Sequence, residues 1–440
     1  MNDSEKAGLP ESPMSRRRAL GVAAGLVGGA VLTGTTLDAM TQVPTAKVPG
    51  AMPAGGAAVV SAPAAPLPVA PPDASMIPGI ASGPLSTRSP FEMPALTPVG
   101  ITTGSSLTPL QHIAGTITPS DLHFQRHHNG IAVIDPHRYA LTVHGLVDRP
   151  LVFSLEQLKR FPAMTRTCFV ECSGNGRSAF RAPKREMTPQ QVDGLTSNSE
   201  WTGVSVAALL KEAGVQHGAT WVLAEGGDAA RLSRSVPMDK MLDDAFIAYA
   251  QNGEPLRMPN GYPARLLLPG YEGNMCVKWI RRLEAIDQPN MSRDETAKYT
   301  DPLANGTARQ FSFTMDAKSI ITSPAYPTRL TGPGWWPVTG LAWTGRGRIE
   351  RVDVSTDGGR TWTEAELSNP VLSRAHTRFE HMWKWDGRPA QLMSRAIDET
   401  GYVQPTLQTY RDTRGAGTDY HFNAIRTWLV EQDGSVYFGG

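Results

Sequence analysis

Cys172 ends an apolar run in the stretch FVECSGNGR (169–177) and is followed by a glycine-containing loop and an arginine. Gly174 and Gly176 allow backbone to approach a ligand closely. Arg177 offers a planar cation that can bind an oxyanion through two hydrogen bonds. A neighbouring cation favours the thiolate, which is the form of cysteine that attacks electrophiles and binds soft metals. The stretch alone leaves four roles open for Cys172, namely core residue, disulfide partner, nucleophile and metal ligand.

The other two cysteines do not make a disulfide scaffold. Cys168 lies four residues before Cys172, and in a strand the two would be roughly 13 Å apart, too far for a disulfide. Cys276 is the third and leaves an odd number. The sequence has no C-x-x-C pair, which argues against a zinc ribbon, and no C-x-x-C-H, so a c-type haem is not expected.

Two further stretches carry groups that suit an anion or a cofactor. DLHFQRHHNG (121–130) has three histidines and one arginine in six residues, and it is compatible with zinc, with an anion such as phosphate, or with a solvated loop. NGYPARLLLPGYEGNMCVKW (260–279) has two Gly/Pro-rich turns around an apolar strand with Arg265 and Lys278, which suits a phosphate-bearing cofactor. We interpret Cys276 in this stretch as a residue of the core or of the loop wall.

Tyr299 lies in the polar stretch RDETAKYTD (293–301), where a tyrosine is usually a surface residue. It gains interest only if the fold brings it close to Cys172.

Length, charge and composition limit the kind of protein. The chain has 440 residues, enough for two globular domains with additional segments. Lys+Arg 42 against Asp+Glu 41 gives a net charge of +1, which argues against broad nucleic-acid binding and leaves room for a local cationic pocket.

The N-terminus is typical of an exported protein. Ser15-Arg16-Arg17-Arg18 resembles a twin-arginine signal, with Ala19 where a Phe is usual. We therefore expect a signal over residues 1–40, a periplasmic location and a Pro/Ala-rich linker over residues 41–105. The alternative is an uncleaved N-terminal anchor. Because the twin-arginine route exports folded proteins, it raises the expectation of a cofactor inserted before export.

Strand and helix signals alternate without a regular βαβ rhythm from about residue 109 onward. Residues 138–147 alternate as a strand, Ser154 and Gln157 form a capping box that starts a short helix, and TRTCFVEC continues as a buried strand. Residues 205–214 form an amphipathic helix that Gly214 ends. This mixture predicts an α+β domain.

After residues 308–324 the helical signals stop, and short alternating strands predict an all-β immunoglobulin-like sandwich. Ser355–Trp362 matches the S-x-D-x-G-x-T-W box of sialidase-like propellers. Propeller blades repeat and this box occurs once, so we interpret it as a hairpin turn in which Asp357 binds its own loop.

The motifs occur in an order that resembles the sulfite oxidase family of molybdenum enzymes. ECSGNGR is similar to its molybdenum-ligand motif, and VDVSTDGGRTW to its C-terminal dimerisation domain. The resemblance extends over roughly residues 106–430. GTITPSDLHFQRHHNGI, YAQNGEPLR and AIDETGYVQPT are most similar to the bacterial Sox-type sulfane dehydrogenase catalytic subunits.

The resemblance implies a molybdopterin-binding catalytic domain over residues 106–315 and an immunoglobulin-like dimerisation domain over 316–440. It implies that the Cys172 thiolate binds molybdenum, that Arg126, Arg177 and Arg414 bind the substrate anion, and that Tyr299 donates a hydrogen bond near the metal. The implied molybdopterin contacts are Phe124, Arg126, His127, His128, Asp228, Asn260, Arg265, Cys276, Val277 and Lys278. His127 stands where Asn is common, Asn260 stands where many members have His, and the spacing after Arg414 also differs from the family.

The implied reaction is oxidation of sulfite or of a sulfane sulfur on a carrier protein by oxygen-atom transfer. Because the chain lacks a haem motif, the electrons would pass to a separate c-type cytochrome, and the enzyme would be a homodimer. Two alternatives stay open. One is a family member that acts on another oxyanion or an S-oxide, for example as a reductase, and the other is a non-catalytic periplasmic protein that binds a metal or a partner.

Overall fold

The computed structural model describes residues 81–303, 305–415 and 417–440. The predicted export signal and most of the predicted linker lie outside the described residues. One compact unit spans Leu85–Gly440. None of the helices in the described part of the chain has the length and apolar character needed to cross a membrane.

The first part of this unit combines short helices with three main sheets. The sheet orders are β1-β2-β3, β11-β10-β7-β6 with β12 also paired to β10, and β5-β4-β13-β8-β9. The strands are β1 Thr97–Gly100, β2 Gly104–Leu107, β3 Gln125–His127, β4 Leu141–Gly145, β5 Leu151–Phe153, β6 Met164–Glu171, β7 Thr196–Ser205, β8 Trp221–Gly226, β9 Ser233–Pro237, β10 Phe246–Gln251, β11 Glu254–Pro255, β12 Arg265–Leu267, β13 Ile280–Ile286, β14 Asp301–Pro302 and β15 Ala308–Arg309. The helices are α1 Leu155–Leu158, α2 Arg177–Arg181, α3 Pro189–Asp193, α4 Val206–Ala213 and α5 Met238–Asp243. This mixture agrees with the predicted α+β class.

Local sequence signals account for several of these elements. Ser154 Oγ accepts from the Gln157 amide at 3.2 Å, and Gln157 Oε1 accepts from the Ser154 amide at 2.8 Å, which confirms the capping box at α1. Helix α4 ends at Gly214, whose φ of 70° is the left-handed conformation that glycine adopts without steric cost.

Part of the predicted linker is structured, and the linker boundary at residue 105 is corrected here. Strand β1 lies within residues 41–105 and pairs with β2, while β2 pairs with β3 so that Ser105 faces Arg126. Gly100, with φ 77°, begins the turn between β1 and β2. Backbone pairing of this kind leaves little trace in composition, which is why the proline-rich tract seemed to extend further.

The second part of the unit consists of two sheets, with strand orders β16-β17-β21-β20 and β19-β18-β22-β23-β24. Its elements are β16 Lys318–Ser323, β17 Gly334–Trp343, β18 Ile349–Ser355, β19 Thr363–Glu364, β20 Glu366–Leu367, β21 Thr377–Trp385, β22 Ala390–Asp398, α6 Leu407–Arg414, β23 Thr427–Val430 and β24 Val436–Phe438. Helix α6 corrects the all-β prediction. It is mostly polar, so it lacks the apolar periodicity that reveals a helix, and it depends on the Thr406 cap and on buried Tyr410.

The single Asp-box copy forms a local turn, as predicted. Asp357 Oδ1 accepts from the amides of Arg360 and Thr361, each at 3.0 Å, and Oδ2 accepts from the Thr361 hydroxyl at 2.7 Å. These hydrogen bonds hold the pKa of Asp357 well below its usual range. The carboxylate is therefore occupied by its own loop.

The hydrophobic core between the two sheets also takes in side chains from the first part of the chain. Leu110, Phe169, Ala179 and Val192 pack in the same cluster as the strands after Met315. The two parts of Leu85–Gly440 thus share packing across the predicted boundary at residues 315 and 316.

A buried ion network reinforces this packing. Lys318 Nζ on β16 lies 2.6 Å from Asp193 Oδ1 and 3.1 Å from Glu171 Oε1, and these side chains are at most 2% exposed. Trp343 Nε1 donates to Glu171 Oε2 at 2.7 Å, and Arg426 Nε lies 3.3 Å from Asp193 Oδ2. Burial alone would raise the pKa of Asp193, but Lys318 and Arg426 hold it below the usual value. Since Glu171 directly precedes Cys172, the network fixes the end of β6.

We expect Lys318→Met to lower the free energy of unfolding by about 3–5 kcal/mol, because it leaves two carboxylates buried with less compensating positive charge. Denaturant unfolding of the purified chain measures this. Lys384→Met, at an exposed position of β21, is the matched control and should change stability by less than about 0.5 kcal/mol. Equal effects of the two substitutions would contradict the role of the network.

Candidate molybdopterin site

Cys172 lies at the point where β6 turns into the glycine loop. Its amide donates to the Leu195 carbonyl at 2.9 Å, and its carbonyl accepts from the Asn175 amide at 2.8 Å. The Asn175 side chain donates to Glu171 Oε1 and accepts from the Leu195 amide, each at 2.9 Å. The thiol is half-buried, whereas those of Cys168 and Cys276 are buried. The loop therefore presents one thiol from a rigid base.

Two glycines allow this arrangement because backbone and side chains pass close to them. A Cβ on Gly176, where φ is 93°, would lie 2.8 Å from Asp193 Oδ1, and one on Gly273 would lie 2.7 Å from the Glu171 carbonyl oxygen. The loop that carries Gly273 thus packs directly on the backbone that precedes Cys172.

A cavity opens beside Cys172. It brings together the four sequence stretches that carry candidate groups, so Tyr299 does lie near Cys172. The predicted site residues that line it are Phe124, Arg126, His127, His128, Cys172, Asp228, Arg265, Cys276, Lys278 and Tyr299.

The charge state of Cys172 in the chain alone differs from the expectation that a nearby cation favours the thiolate. Burial raises the pKa of the thiol, and Arg126 and Arg177 act in the opposite direction without overcoming it. A bound metal cation supplies the positive charge that favours deprotonation of a coordinating thiol.

Lys278 and His127 form a buried hydrogen-bonded pair on one wall. Lys278 Nζ lies 2.9 Å from His127 Nδ1 and 2.9 Å from the Pro259 carbonyl oxygen, and 4.3 Å from the ring centroid of Trp279. Burial, followed by Lys278 itself, lowers the pKa of His127 to about 3, so the imidazole is neutral and accepts the hydrogen bond. Burial also lowers the pKa of Lys278.

Tyr299 and His128 form a second pair. The Tyr299 hydroxyl lies 2.7 Å from His128 Nε2. Burial and then Arg126 lower the pKa of His128 to about 4, and burial raises the pKa of Tyr299. The hydroxyl therefore donates to a neutral imidazole, and both groups are uncharged near neutral pH.

The histidine run does not assemble a metal site of its own. His123 Nδ1 contacts the Phe124 carbonyl oxygen at 2.9 Å, while His127 and His128 engage Lys278 and Tyr299. Across residues 81–303, 305–415 and 417–440, no three His, Cys, Asp or Glu side chains converge on one point. The zinc interpretation of this run finds no support there.

Several buried polar atoms of the cavity residues lack a hydrogen-bond partner within the described chain. They are His123 Nε2, Asp228 Oδ1, Arg265 Nε and Asn274 Oδ1. An unpaired buried polar atom costs about 1–3 kcal/mol, so a set of four indicates a polar ligand. Molybdopterin carries ring nitrogens, an amide and a phosphate, and these match the mixture of donors and acceptors and the cations Arg126 and Lys278. The residues present therefore fit the cofactor.

Arg177 and Arg414 do not line this cavity. Arg177 Nε and one of its terminal nitrogens donate to the Asp419 carbonyl oxygen at 3.0 and 2.7 Å. Arg414 lies 2.8 Å from an Asp316 oxygen and 3.8 Å from an Asp301 oxygen. Two carboxylates thus compensate the charge of Arg414, and its assignment to the substrate anion stays a prediction.

Three other residues predicted to contact the molybdopterin make their observed contacts with other protein groups. Asn260 is buried and is not among the residues that line the cavity, and its backbone carbonyl oxygen accepts from Arg265 at 3.0 Å, so it orients that guanidinium. Val277 packs in the core. Cys276 lines the cavity, but its sulfur accepts the Leu268 amide at 3.4 Å and burial raises its pKa, as expected of a core thiol.

The structure adds cavity residues that the sequence argument did not single out, namely His123, Val170, Leu232, Pro259, Gly273, Asn274 and Trp279. His123 lies in the histidine run, and Asn274 and Trp279 flank Cys276 and Lys278. Their proximity in sequence to the predicted residues was the available signal. Leu232, from the loop before β9, had none.

These features define a molybdopterin-binding oxidoreductase. Residues 128–294 match the model of the oxidoreductase molybdopterin-binding domain, and residues 309–427 match that of the Mo-co oxidoreductase dimerisation domain. Sulfite oxidase of Gallus gallus is 32% identical over 66% of this chain and 68% of its own length. The chain belongs to the sulfite oxidase family.

Other family members and a solved structure are also similar. The nitrate reductase [NADH] of Solanum lycopersicum is 30% identical, and this chain covers 36% of its length. The sulfane dehydrogenase SoxCD of Paracoccus pantotrophus is 42% identical with a TM-score of 0.75, over 91% of this chain and 100% of that chain. This chain thus spans most of chicken sulfite oxidase, about a third of the plant enzyme, and the whole of the SoxCD chain.

We expect Lys278→Met to reduce molybdopterin content at least tenfold while the cofactor-free protein becomes equally or more stable. The cation is costly to bury without an anionic ligand, and methionine fills a similar volume without charge. Pterin fluorescence after oxidative release and thermal unfolding of the cofactor-free chain measure the two effects. Lys211→Met on the exposed surface of α4 is the control, and unchanged cofactor content in Lys278→Met would contradict this role.

Proposed function

We propose that this protein is the catalytic subunit of a sulfur-oxidising dehydrogenase that acts on sulfite or on sulfane sulfur held by a carrier protein. The observation that carries the proposal is the half-buried Cys172 thiol beside a cavity with unpaired polar atoms and three cationic side chains, Arg126, Arg265 and Lys278. The 42% identity to SoxCD over the whole of that chain supports the sulfur substrate.

Different residues of this chain would hold the metal and the molybdopterin. Cys172 would be the protein ligand to molybdenum, and Lys278, Arg265, Asp228 and His123 would bind the molybdopterin. When bound, the cofactor supplies the oxygen-atom and electron transfer that side chains cannot perform. The residues of this chain would bind and orient the substrate and supply compensating charge.

Arg126 is suited to bind an anionic sulfur group. It donates to the carbonyl oxygens of Gly104 and His127, and within the described residues no carboxylate lies within ion-pair distance of it. Its charge is therefore available to a substrate in the cavity.

Tyr299 is suited to donate a hydrogen bond to substrate or to relay a proton. Its hydroxyl already donates a hydrogen bond to His128 Nε2, and both groups are neutral near pH 7. The ring lies under the Arg234 guanidinium, 5.1 Å from its carbon, which keeps it in place.

Electrons leave to a separate c-type cytochrome in this proposal, since the sequence holds no C-x-x-C-H motif. The twin-arginine resemblance supports a periplasmic location, and recovery of the mature chain in the cytoplasm would contradict it. Exposed Trp335 and Met382 on the neighbouring strands β17 and β21 support pairing of two copies through an immunoglobulin-like sandwich. A monomeric mass in solution would argue against that pairing.

We expect about one molybdenum per wild-type chain and less than a tenth of that in Cys172→Ser, because a serine hydroxyl is a harder and much weaker ligand than a thiolate. Metal analysis of the purified protein measures this. Cys168→Ala, four residues earlier on β6 and buried in the core, is the matched control and should keep its molybdenum. Full molybdenum content in Cys172→Ser would exclude Cys172 as the ligand.

Steady-state turnover with a c-type cytochrome as acceptor tests the substrate class. We expect oxidation of sulfite or of a carrier-bound sulfane, with little reduction of nitrate. The match to nitrate reductases makes oxyanion reduction the second candidate. Nitrate reduction in the absence of any sulfur oxidation would replace the proposed function with that one.

A further inference from the structure

A segment of the C-terminal part returns to the Cys172 loop. The His421 amide donates to the Ser173 carbonyl oxygen at 2.7 Å, and the Tyr420 ring lies 5.4 Å from that of Tyr299. Residues 417–423 come shortly after helix α6. This segment therefore places side chains beside the site.

Asp419 is the charged residue of this segment. Its carboxylate lies 2.6 Å from Arg181 and 3.6 Å from Arg177, and all three side chains are between 41% and 46% exposed. Arg177 also lies 5.1 Å from the centre of the Tyr420 ring. A Cβ on Gly174, two residues after Cys172, would lie 3.2 Å from a terminal nitrogen of Arg177, so the guanidinium lies against the Cys172 loop.

We propose that Asp419 determines which substrates enter, by neutralising Arg177 and Arg181 beside the Cys172 loop and so disfavouring small, highly charged oxyanions. This inference rests on the proposed function and sharpens its substrate class. It favours a sulfur atom whose neighbourhood carries little negative charge, such as sulfane sulfur on a carrier thiol, over free sulfite.

The ion pairs of the predicted substrate arginines also reduce the positive charge available to an anion. Of the three arginines that the family resemblance assigns to the anion, Arg414 is paired with Asp316, and Arg177 shares Asp419. In the described part of the chain, Arg126 makes no ion pair. The three arginines therefore present less positive charge than they would without these carboxylates, and electrostatic attraction of a dianion is correspondingly weaker.

The anchor of Arg177 does not depend on the Asp419 carboxylate alone. Arg177 donates twice to the backbone carbonyl oxygen of residue 419, and any side chain at that position leaves this carbonyl in place. Asp419→Asn thus removes one negative charge from a side chain of nearly the same shape. This substitution therefore tests the charge of the residue 419 side chain without changing the position of Arg177.

The test compares Asp419→Asn with wild type and with Asp433→Asn, which removes a carboxylate from the β23–β24 turn. We expect the KM for sulfite to fall about fivefold with kcat within twofold, because the change acts on anion binding. Sulfate should inhibit about fivefold more strongly, and the gain should shrink at high salt. Asp433→Asn should match wild type. An unchanged KM, or a lower kcat without tighter sulfate inhibition, would overturn the inference.

Sulfate binding to the purified full-length proteins, measured by calorimetry, keeps this test separate from the proposed function. Tighter binding of sulfate by Asp419→Asn than by wild type supports the role of Asp419 even if no sulfur compound is oxidised, in which case the proposed function fails alone. Equal sulfate affinity in an enzyme that does oxidise sulfur compounds rejects the role of Asp419 alone.

Discussion

The buried contact of Lys318 with Glu171 and Asp193 is the interaction on which the site depends. It joins β16 of the C-terminal part to the end of β6 and to α3, and Glu171 is the residue directly before Cys172. Taking three charges out of water is favourable only when they compensate one another closely. The end of β6, and with it the thiol, is therefore fixed by packing between the two parts of the unit.

The cavity itself carries a polarity that the chain does not satisfy alone. Lys278 is buried with its pKa lowered, and polar atoms of His123, Asp228, Arg265 and Asn274 lack partners among the described residues. Burying a charge and unpaired polar atoms destabilises a fold unless a bound ligand supplies the missing hydrogen bonds and opposite charge. His127 is neutral beside Lys278, and His128 and Tyr299 form a neutral pair, so neither histidine adds charge to the same space.

Sequence predicted the parts of this site whose chemistry is local. The glycine loop after Cys172, the capping box at Ser154 and the Gly214 helix end follow from residue type and spacing, and the family resemblance located most of the cavity wall. It did not predict that Asp316 and Asp301 hold Arg414, or that Lys318 reaches Glu171, because these pairs connect residues 98 or more positions apart. The polar helix α6 and the strand at Thr97–Gly100 were missed because each depends on tertiary contacts rather than on periodicity.

The central claim is that the sulfur of Cys172 binds the metal directly. X-ray absorption at the molybdenum edge counts the sulfur atoms around the metal and so tests this most directly. The account predicts one fewer sulfur ligand in whatever molybdenum a Cys172→Ser preparation retains than in wild type. An identical number of sulfur ligands in the two proteins would contradict it.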